Sequence, residues 1–254
     1  MNSESLLNTP NTTHLCRKKY SQYALPKYLA EHYWWAYLSP IGVSFFDHPF
    51  MVNRILWGQY HQIAQDTVNL FLDKTPQKVA GVSCAYGEFF PLLAQNENVE
   101  QLFLFDIAPI QIQQMQKKIP TKIIDKKCQF FLSNAEQISL ANKSVDSAIL
   151  FFLLHELPEQ ARKNVLAETI RITQSGGRII IADYGQKTPS HFFHRIKIFN
   201  HIFETLEPFL ANFSRCDLIA ELSQHAKDQE RKITLISERY YFNRFYRLLE
   251  FSID

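Results

Sequence analysis

Val82-Ser83-Cys84-Ala85-Tyr86-Gly87-Glu88 is the stretch that decides the fold, because it joins an apolar strand to a helix through small residues. About twenty residues later, Asp106 ends a second apolar run. Strand, tight loop, helix and acid-ended strand form a frame that binds nucleoside cofactors: the backbone approaches the ligand and the acid binds ribose hydroxyls. The loop has one glycine, so its small residues could equally serve strand-to-helix packing.

The composition is typical of a globular protein. Of 254 residues, 46% are hydrophobic and 20% are charged, which allows a sizeable core. The net charge of +2 gives no case for nucleic-acid binding. The four cysteines (Cys16, Cys84, Cys128 and Cys216) lie far apart, so we find no zinc-binding or redox spacing and favour a reducing cytoplasm.

Hydrophobic runs are too short for a membrane-spanning helix. The longest, Ala148 to Leu154, falls far below the roughly 20 residues that are needed. The sequence begins with a polar stretch that lacks the apolar centre of a signal peptide. We therefore expect a cytoplasmic protein, associated peripherally with the inner face of a membrane.

Apolar runs alternate with helical patterns after residue 75, which predicts a doubly wound, mostly parallel α/β sheet. The predicted parallel strands are Val79–Val82, Leu102–Phe105, Phe130–Leu132, Ala148–Phe152 and Ile179–Ala182, and the predicted antiparallel closing strands are Ile233–Phe242 and Arg244–Phe251. Gly176-Gly177 is expected to cap a helix and form a turn. We divide the chain into a flexible lead (1–20), an aromatic-rich helical cap (21–74) and a cofactor-binding domain (75–254) with an amphipathic helical insertion (190–213).

These motifs resemble the class I S-adenosylmethionine-dependent methyltransferases, whose Rossmann-like sheet has seven strands. The family's glycine-rich loop corresponds to Ser83, Ala85 and Gly87, its ribose-binding acid to Asp106, and its adenine motif to Ser133-Asn134-Ala135-Glu136. The resemblance implies that the cofactor-binding residues are Ser83, Cys84, Ala85, Tyr86, Gly87, Asp106, Ile107, Asn134, Ala135 and Phe151. Alternatively, Asp106 is a helix N-cap and Asn134 a turn residue.

One position departs from the family's pattern. Two residues before the first loop glycine, these enzymes commonly carry an acid near the methionine end of the cofactor, and this chain has Gly81. Glu88 is the nearest substitute along the sequence. We therefore expect the amino group of the cofactor to be held differently, and its chemistry to differ as well.

Nearly the full chain also resembles a narrower group, the methyltransferase-like enzymes of rhodoquinone biosynthesis. The shared motifs are Tyr33-Trp34-Trp35-Ala36-Tyr37-Leu38, Asn53-Arg54-Ile55-Leu56-Trp57-Gly58, Tyr86-Gly87-Glu88-Phe89, Asp106-Ile107-Ala108-Pro109-Ile110-Gln111, Phe151-Phe152-Leu153-Leu154-His155-Glu156 and Asp183-Tyr184. The resemblance implies replacement of a methoxy group of ubiquinone by an amino group, with S-adenosylmethionine as amino donor and Mn²⁺ as helper ion. The group's Asp after the loop glycine is Glu88 here.

The candidate catalytic residues follow the predicted strand ends, where open α/β sheets bind ligands. They are Glu88, His155, Glu156, Asp183 and Tyr184, of which Glu88, His155 and Glu156 are also candidate metal ligands. Amination of a quinone requires a base and a group that stabilises negative charge on a quinone oxygen. Alternatively, His155-Glu156 caps the next helix and Asp183-Tyr184 is structural.

A lipophilic substrate such as ubiquinone requires contact with a membrane surface. Residues 190–213 have phenylalanines at helical spacing beside basic residues, which is typical of a membrane-surface helix, or of one packed on the sheet. The Trp-rich region 33–57 could line a quinone pocket or lie at the membrane interface; alternatively, it is part of the core. Two alternative functions stay open: an ordinary methyltransferase acting on a lipophilic small molecule, and a non-catalytic S-adenosylmethionine-binding protein at a membrane.

Overall fold

A computed structural model describes residues 25–72, 75, 77–186 and 207–254. The predicted lead (1–20) and most of the predicted insertion (190–213) lie outside the described residues. In the part of the insertion that is described, one short helix spans Leu210–Phe213.

The centre of the fold is a seven-stranded sheet in the order β3-β2-β1-β4-β5-β7-β6. The pairs among β1 to β5 are parallel, and β7 pairs antiparallel with both β5 and β6. The predicted fold class is therefore confirmed. The strands are β1 Gln77–Gly81, β2 Val99–Asp106, β3 Cys128–Leu132, β4 Val145–Phe151, β5 Thr173–Tyr184, β6 Ile233–Tyr241 and β7 Tyr246–Ile253.

Helices lie before, between and after the strands along the chain. Five precede β1: α1 Lys27–His32, α2 Trp34–Tyr37, α3 Pro40–Phe46, α4 Pro49–Ile55 and α5 Tyr60–Asn69. The others described are α6 Phe89–Gln95, α7 Pro109–Lys118, α8 Thr121–Lys127, α9 Glu159–Ile172, α10 Leu210–Phe213 and α11 Leu218–Asp228, with a 3-10 turn at Leu154–Glu156. Proline at the first position of α3, α4 and α7 suits a helix start, where no backbone donor is needed.

The central strands are apolar on both faces because helices bury them from both sides. Ile179, Ile180 and Ile181 of β5 are fully buried, as are Ile149 and Leu150 of β4. Such continuous burial is typical of a parallel sheet between two helical layers. The core therefore fixes the strands rigidly, and their carboxyl ends form the platform for the site.

The predicted helix cap at Gly176-Gly177 is wrong. Gly176-Gly177 does not cap a helix: α9 ends at Ile172, and both glycines lie within β5. Gly176 has a φ of +76° at the irregularity where the pairing with β4 shifts between Val145 and Ser147. The glycine pair thus turns the chain inside a bulged strand, where a positive φ is also needed.

Candidate functional site

A cavity of about 290 Å³ lies at the carboxyl ends of β1, β2, β4 and β5. The chain order reverses between β1 and β4, which is where open α/β sheets bind their ligands. The α1–α5 helices supply the opposite wall of the cavity, including Tyr33, Tyr37 and Ile55. We call the part lined by residues 82–86, Asp106 and Asn134 the cofactor end, and the part around His155, Glu156 and Glu207 the cap end.

The loop after β1 is held in a tight conformation at the cofactor end. Gly87 has a φ of +80°, and a Cβ there would collide with the hydroxyl of Tyr60. That hydroxyl donates to the Tyr86 carbonyl (3.1 Å) and accepts from the Phe89 N–H (2.9 Å). Gly87 is therefore required by the geometry of the turn.

Asp106 joins the loop to the end of β2. Its carboxylate accepts from the backbone N–H groups of Cys84 (3.0 Å) and Ala108 (2.8 Å). Burial raises the pKa of Asp106 to about 7, although these two N–H groups oppose the rise. Asn134 also lines the cavity, and its Oδ1 accepts from the Glu136 N–H (2.9 Å), so it is a turn residue at the cavity wall.

A buried ion pair supports the loop from outside the cavity. Asp47 accepts from the Gly87 N–H (2.8 Å) and from Lys118 Nζ (2.6 Å). Lys118 Nζ also donates to the Gly87 carbonyl (2.7 Å), so both sides of this glycine are fixed. Sequence reasoning missed this pair, although a single acid inside the aromatic 45–50 stretch was a visible signal.

His155 and Asp183 form a buried pair at the cap end. His155 Nδ1 lies 2.8 Å from Asp183 Oδ1, and the two residues are 4% and 0% exposed. Burial lowers the pKa of His155, but Asp183 raises it and prevails, giving about 9. Asp183 also accepts from the Leu154 N–H (2.9 Å), and the Tyr184 ring stands edge-on to the imidazole at 4.6 Å. The imidazole is thus oriented and held as a cation.

Two glutamates near this pair accept hydrogen bonds from tyrosines of the N-terminal helical segment. Tyr37 donates a hydrogen bond to Glu156 Oε1, and Tyr33 donates to Glu207 Oε2 at 3.0 Å. Burial raises the pKa of Glu156 to about 8, while the nearby His155 opposes the rise. Burial raises the pKa of Glu207 as well. The sequence predicts that the 33–57 region lines a pocket or lies at a membrane interface, but it gives no individual role to Tyr33, Tyr37 or Glu207.

Most of the predicted site residues lie around one cavity. The lining includes Ser83, Cys84, Ala85, Tyr86, Asp106, Ile107, Asn134, Ala135, Phe151, His155, Glu156 and Tyr184. Gly87 and Asp183 do not line the cavity themselves. Gly87 follows the lining residue Tyr86 in the loop, and Asp183 pairs with the lining residue His155. Glu88 differs: it is exposed, precedes α6 and does not line the cavity.

The candidate metal ligands do not converge. Glu88 lies outside the cavity that His155 and Glu156 line. Within the described ranges, no group of three histidine, cysteine, aspartate or glutamate side chains has an arrangement that could hold a metal ion. The predicted Mn²⁺ therefore has no observed support in this part of the chain. Likewise, no helix among the described residues is long and apolar enough to span a membrane.

Comparisons with known proteins agree with this architecture. Residues 80–181 match a protein-family model described as a methyltransferase domain. A search of curated proteins found no match.

Similar solved structures share the fold at low sequence identity. They include the [4+2]-cyclase SpnF (12% identity, 77% of this chain and 82% of that chain, TM-score 0.58) and the N-methyltransferase NodS from Bradyrhizobium japonicum WM9 (13%, 76% and 94%, TM-score 0.53). A third is the methyltransferase domain of bacterial CtHen1 (14%, 76% and 98%, TM-score 0.54). A cyclase among these neighbours shows that the fold alone does not decide the reaction.

Proposed function

We propose that this protein replaces a methoxy group of ubiquinone by an amino group, with S-adenosylmethionine as amino donor. The match of residues 80–181 to a methyltransferase-domain model supports the cofactor. The observation that carries this proposal is a single cavity with a nucleoside-binding end and an aromatic end containing a buried acid–base pair. The resemblance to enzymes of rhodoquinone biosynthesis supplies the particular reaction.

The cofactor end fits S-adenosylmethionine. Asp106 ends β2 beside the small-residue loop, so its carboxylate suits ribose hydroxyls, and Asn134 stands at the next strand for the adenine. The small loop residues Ser83, Cys84 and Ala85 line the cavity, so the loop backbone can approach a ligand closely. When bound, the cofactor would supply its amino group in the proposed reaction, or its methyl group in ordinary methyl transfer.

The cap end fits a flat, apolar ring. Tyr28, Tyr33, Tyr37, Phe152 and Tyr184 all contribute to its lining. Aromatic walls favour stacking or edge contacts with such a ring.

The His155–Asp183 pair has the chemistry that amination requires. An imidazolium held by a buried carboxylate can donate to a quinone oxygen as negative charge develops there. Asp183 would be a positioning residue, because it is fully buried and does not line the cavity.

An exposed apolar surface on the cap supports docking on a bilayer, from which ubiquinone would enter. Its members are Ile41 (83% exposed), Phe45, Phe50, Ile55 and Trp57. Ile55 also lines the cavity, so the cavity wall reaches this surface. Exposed apolar residues at such density are typical of interaction surfaces. The contribution proposed for residues 190–213 rests on sequence alone, since most of them lie outside the described ranges.

Ordinary methylation of a lipophilic small molecule is the second candidate, favoured by the match to a methyltransferase domain. Isotopes separate the two reactions. Vesicles containing ubiquinone are incubated with the protein and S-adenosylmethionine labelled with ¹⁵N at the amino group and ¹³C at the methyl group, and product masses are measured. We expect the ring to gain ¹⁵N and lose one methoxy group.

Gain of ¹³C would replace the proposal by methyl transfer, and tight cofactor binding without any product would favour a non-catalytic binding protein. Parallel reactions with Mn²⁺ and with a chelator test the helper ion. Asp106→Asn should reduce product formation because it weakens cofactor binding, and Asp125→Asn, on the exposed side of α8, is its control.

A further inference from the structure

The structure points to Glu156 as the acid that holds the ammonium group of S-adenosylmethionine, in place of the acid missing at Gly81. This inference rests on the proposed cofactor but not on which of its groups is transferred. It assigns Glu156 a binding role that neither Gly81 nor Glu88 can fill.

Gly81 faces the core instead of the cavity. A Cβ at this position would collide with the Phe90 ring and would come within 2.7 Å of Leu104 Cδ2. No room exists for a carboxylate there, and Gly81 is absent from the cavity lining. The residue therefore cannot be exchanged for the usual acid without rebuilding the packing between β1 and α6.

The other acids near the loop are engaged or lie elsewhere. Glu88 is exposed and outside the cavity. Asp47 is neutralised by Lys118 and fixed on the Gly87 N–H. Among the described residues, the carboxylates that line the cavity are Asp106, Glu156 and Glu207, and Asp106 stands at the ribose position.

Glu156 has the better position of the remaining two. It follows β4, the strand that pairs directly with β1, whereas Glu207 lies just before α10 and accepts a hydrogen bond from Tyr33. Glu156 is bound by Tyr37, and the Tyr37 ring stacks on Tyr86 of the loop at 5.1 Å and 9°. The Tyr37 ring therefore lies between the Glu156 carboxylate and Tyr86 of the loop.

The surroundings of Glu156 suit a cation. Its nearest positive neighbour is His155 Nε2 at 3.8 Å, beyond hydrogen-bond distance, and that imidazole is already paired with Asp183. An ammonium group would donate a charge-assisted hydrogen bond to the Glu156 carboxylate and would contact the tyrosine rings. In the proposed amination, the same carboxylate can accept one proton from the ammonium nitrogen, which leaves the nitrogen as a neutral nucleophile.

Two ligands that differ at the amino-acid end test this role by calorimetry. S-adenosylhomocysteine carries the ammonium group, and 5′-methylthioadenosine keeps the nucleoside but lacks it. We expect Glu156→Gln to weaken binding of S-adenosylhomocysteine by about ten- to a hundredfold and to leave binding of methylthioadenosine within about twofold. Glu97→Gln, an exposed change of the same kind outside the cavity, is the matched control and should bind both ligands as the wild type does.

Equal weakening of both ligands would assign Glu156 a purely structural role, and unchanged binding of both would also overturn the inference. If wild-type protein binds neither ligand, the proposed function fails too.

If Glu156→Gln does not fold, proton release by the wild-type protein gives the answer. Glu156 faces Tyr37, His155, Asp183 and Glu207, and its pKa is raised to about 8. Near pH 7, S-adenosylhomocysteine should release more protons than methylthioadenosine, because the ammonium ionises Glu156. Asp106 contacts the ribose of both ligands and cancels in the difference; equal release would contradict the inference.

Discussion

The two ends of the cavity are built in different ways. At the cofactor end, Cys84 and Asp106 are hydrogen-bonded across 22 positions of sequence, within one strand–helix–strand unit. At the cap end, Tyr37 and Glu156 are 119 positions apart, and Tyr33 and Glu207 are 174 apart. The first end depends on a local backbone shape, whereas the second depends on tertiary packing. Mutations should therefore affect the two ends differently.

The largest effect is expected at Gly81, behind the cofactor end. Gly81→Asp would place a charge among Phe90 and Leu104, and overpacking plus an unpaired buried carboxylate should lower the free energy of unfolding by at least about 4 kcal/mol. Gly81→Ala, the matched control, adds only the methyl group and should cost about 1 to 3 kcal/mol. Chemical denaturation of both variants measures the difference. If Gly81→Asp is as stable as the wild type, this position faces open space and the contrast between the ends is wrong.

The second effect concerns pH at the cap end. The folded protein holds the His155 proton up to about pH 9, whereas the unfolded chain releases it near 6.5. The stability that this proton contributes is complete below pH 6.5 and is lost as pH rises through about 9; the amount is about 3 kcal/mol. Glu156, with its raised pKa, acts in the same direction, because the folded protein retains its proton to higher pH.

Asp183→Asn tests whether the His155–Asp183 pair controls this pH dependence of stability. We expect its free energy of unfolding to fall by about 3 kcal/mol at pH 6 and to change less between pH 6 and 9 than that of the wild type. Asp125→Asn, an exposed change of the same kind, should keep the wild-type pH dependence. An Asp183→Asn profile parallel to the wild type would show that this pair does not control the titration.

The third effect returns to the cofactor end. Asp106→Asn should weaken binding of S-adenosylhomocysteine and methylthioadenosine alike, by about ten- to a hundredfold, because both carry the ribose that a carboxylate would bind. Calorimetry of both ligands provides the measurement. A selective loss of S-adenosylhomocysteine alone would place Asp106 at the methionine end and contradict the ribose assignment.

The cofactor end could be predicted from the sequence better than the cap end, because its contacts lie within one strand–helix–strand unit. The strand pattern and the spacing from Gly87 to Asp106 lie within one supersecondary unit, so the sheet and the loop could be predicted from local patterns. Glu88 was proposed by sequence proximity to the loop, but the turn at Gly87 directs the chain into α6 and leaves that side chain exposed.

The cap end offers no such local pattern. The hydrogen bonds of Tyr33 and Tyr37 join the N-terminal helical segment to residues that follow β4 and precede α10. At the cofactor end, the contact between Asp47 and Gly87 is also long-range, because Asp47 ends α3 and lies 40 positions from Gly87. A single sequence therefore suggests that these residues are polar groups within an aromatic segment, but not which partners they have.

The smallest effect isolates one of these long-range contacts. Tyr33→Phe removes the hydroxyl that donates to Glu207 while keeping a ring that is 3% exposed, so we expect a loss of about 1 kcal/mol in the free energy of unfolding. A double-mutant cycle with Glu207→Gln separates the contact from the effect of each change alone, and its coupling energy should also be about 1 kcal/mol. A coupling near zero would mean that this hydrogen bond does not fasten the cap. The cap end would then depend on ring packing, as the Tyr33 and Phe209 rings, 6.4 Å apart, also allow.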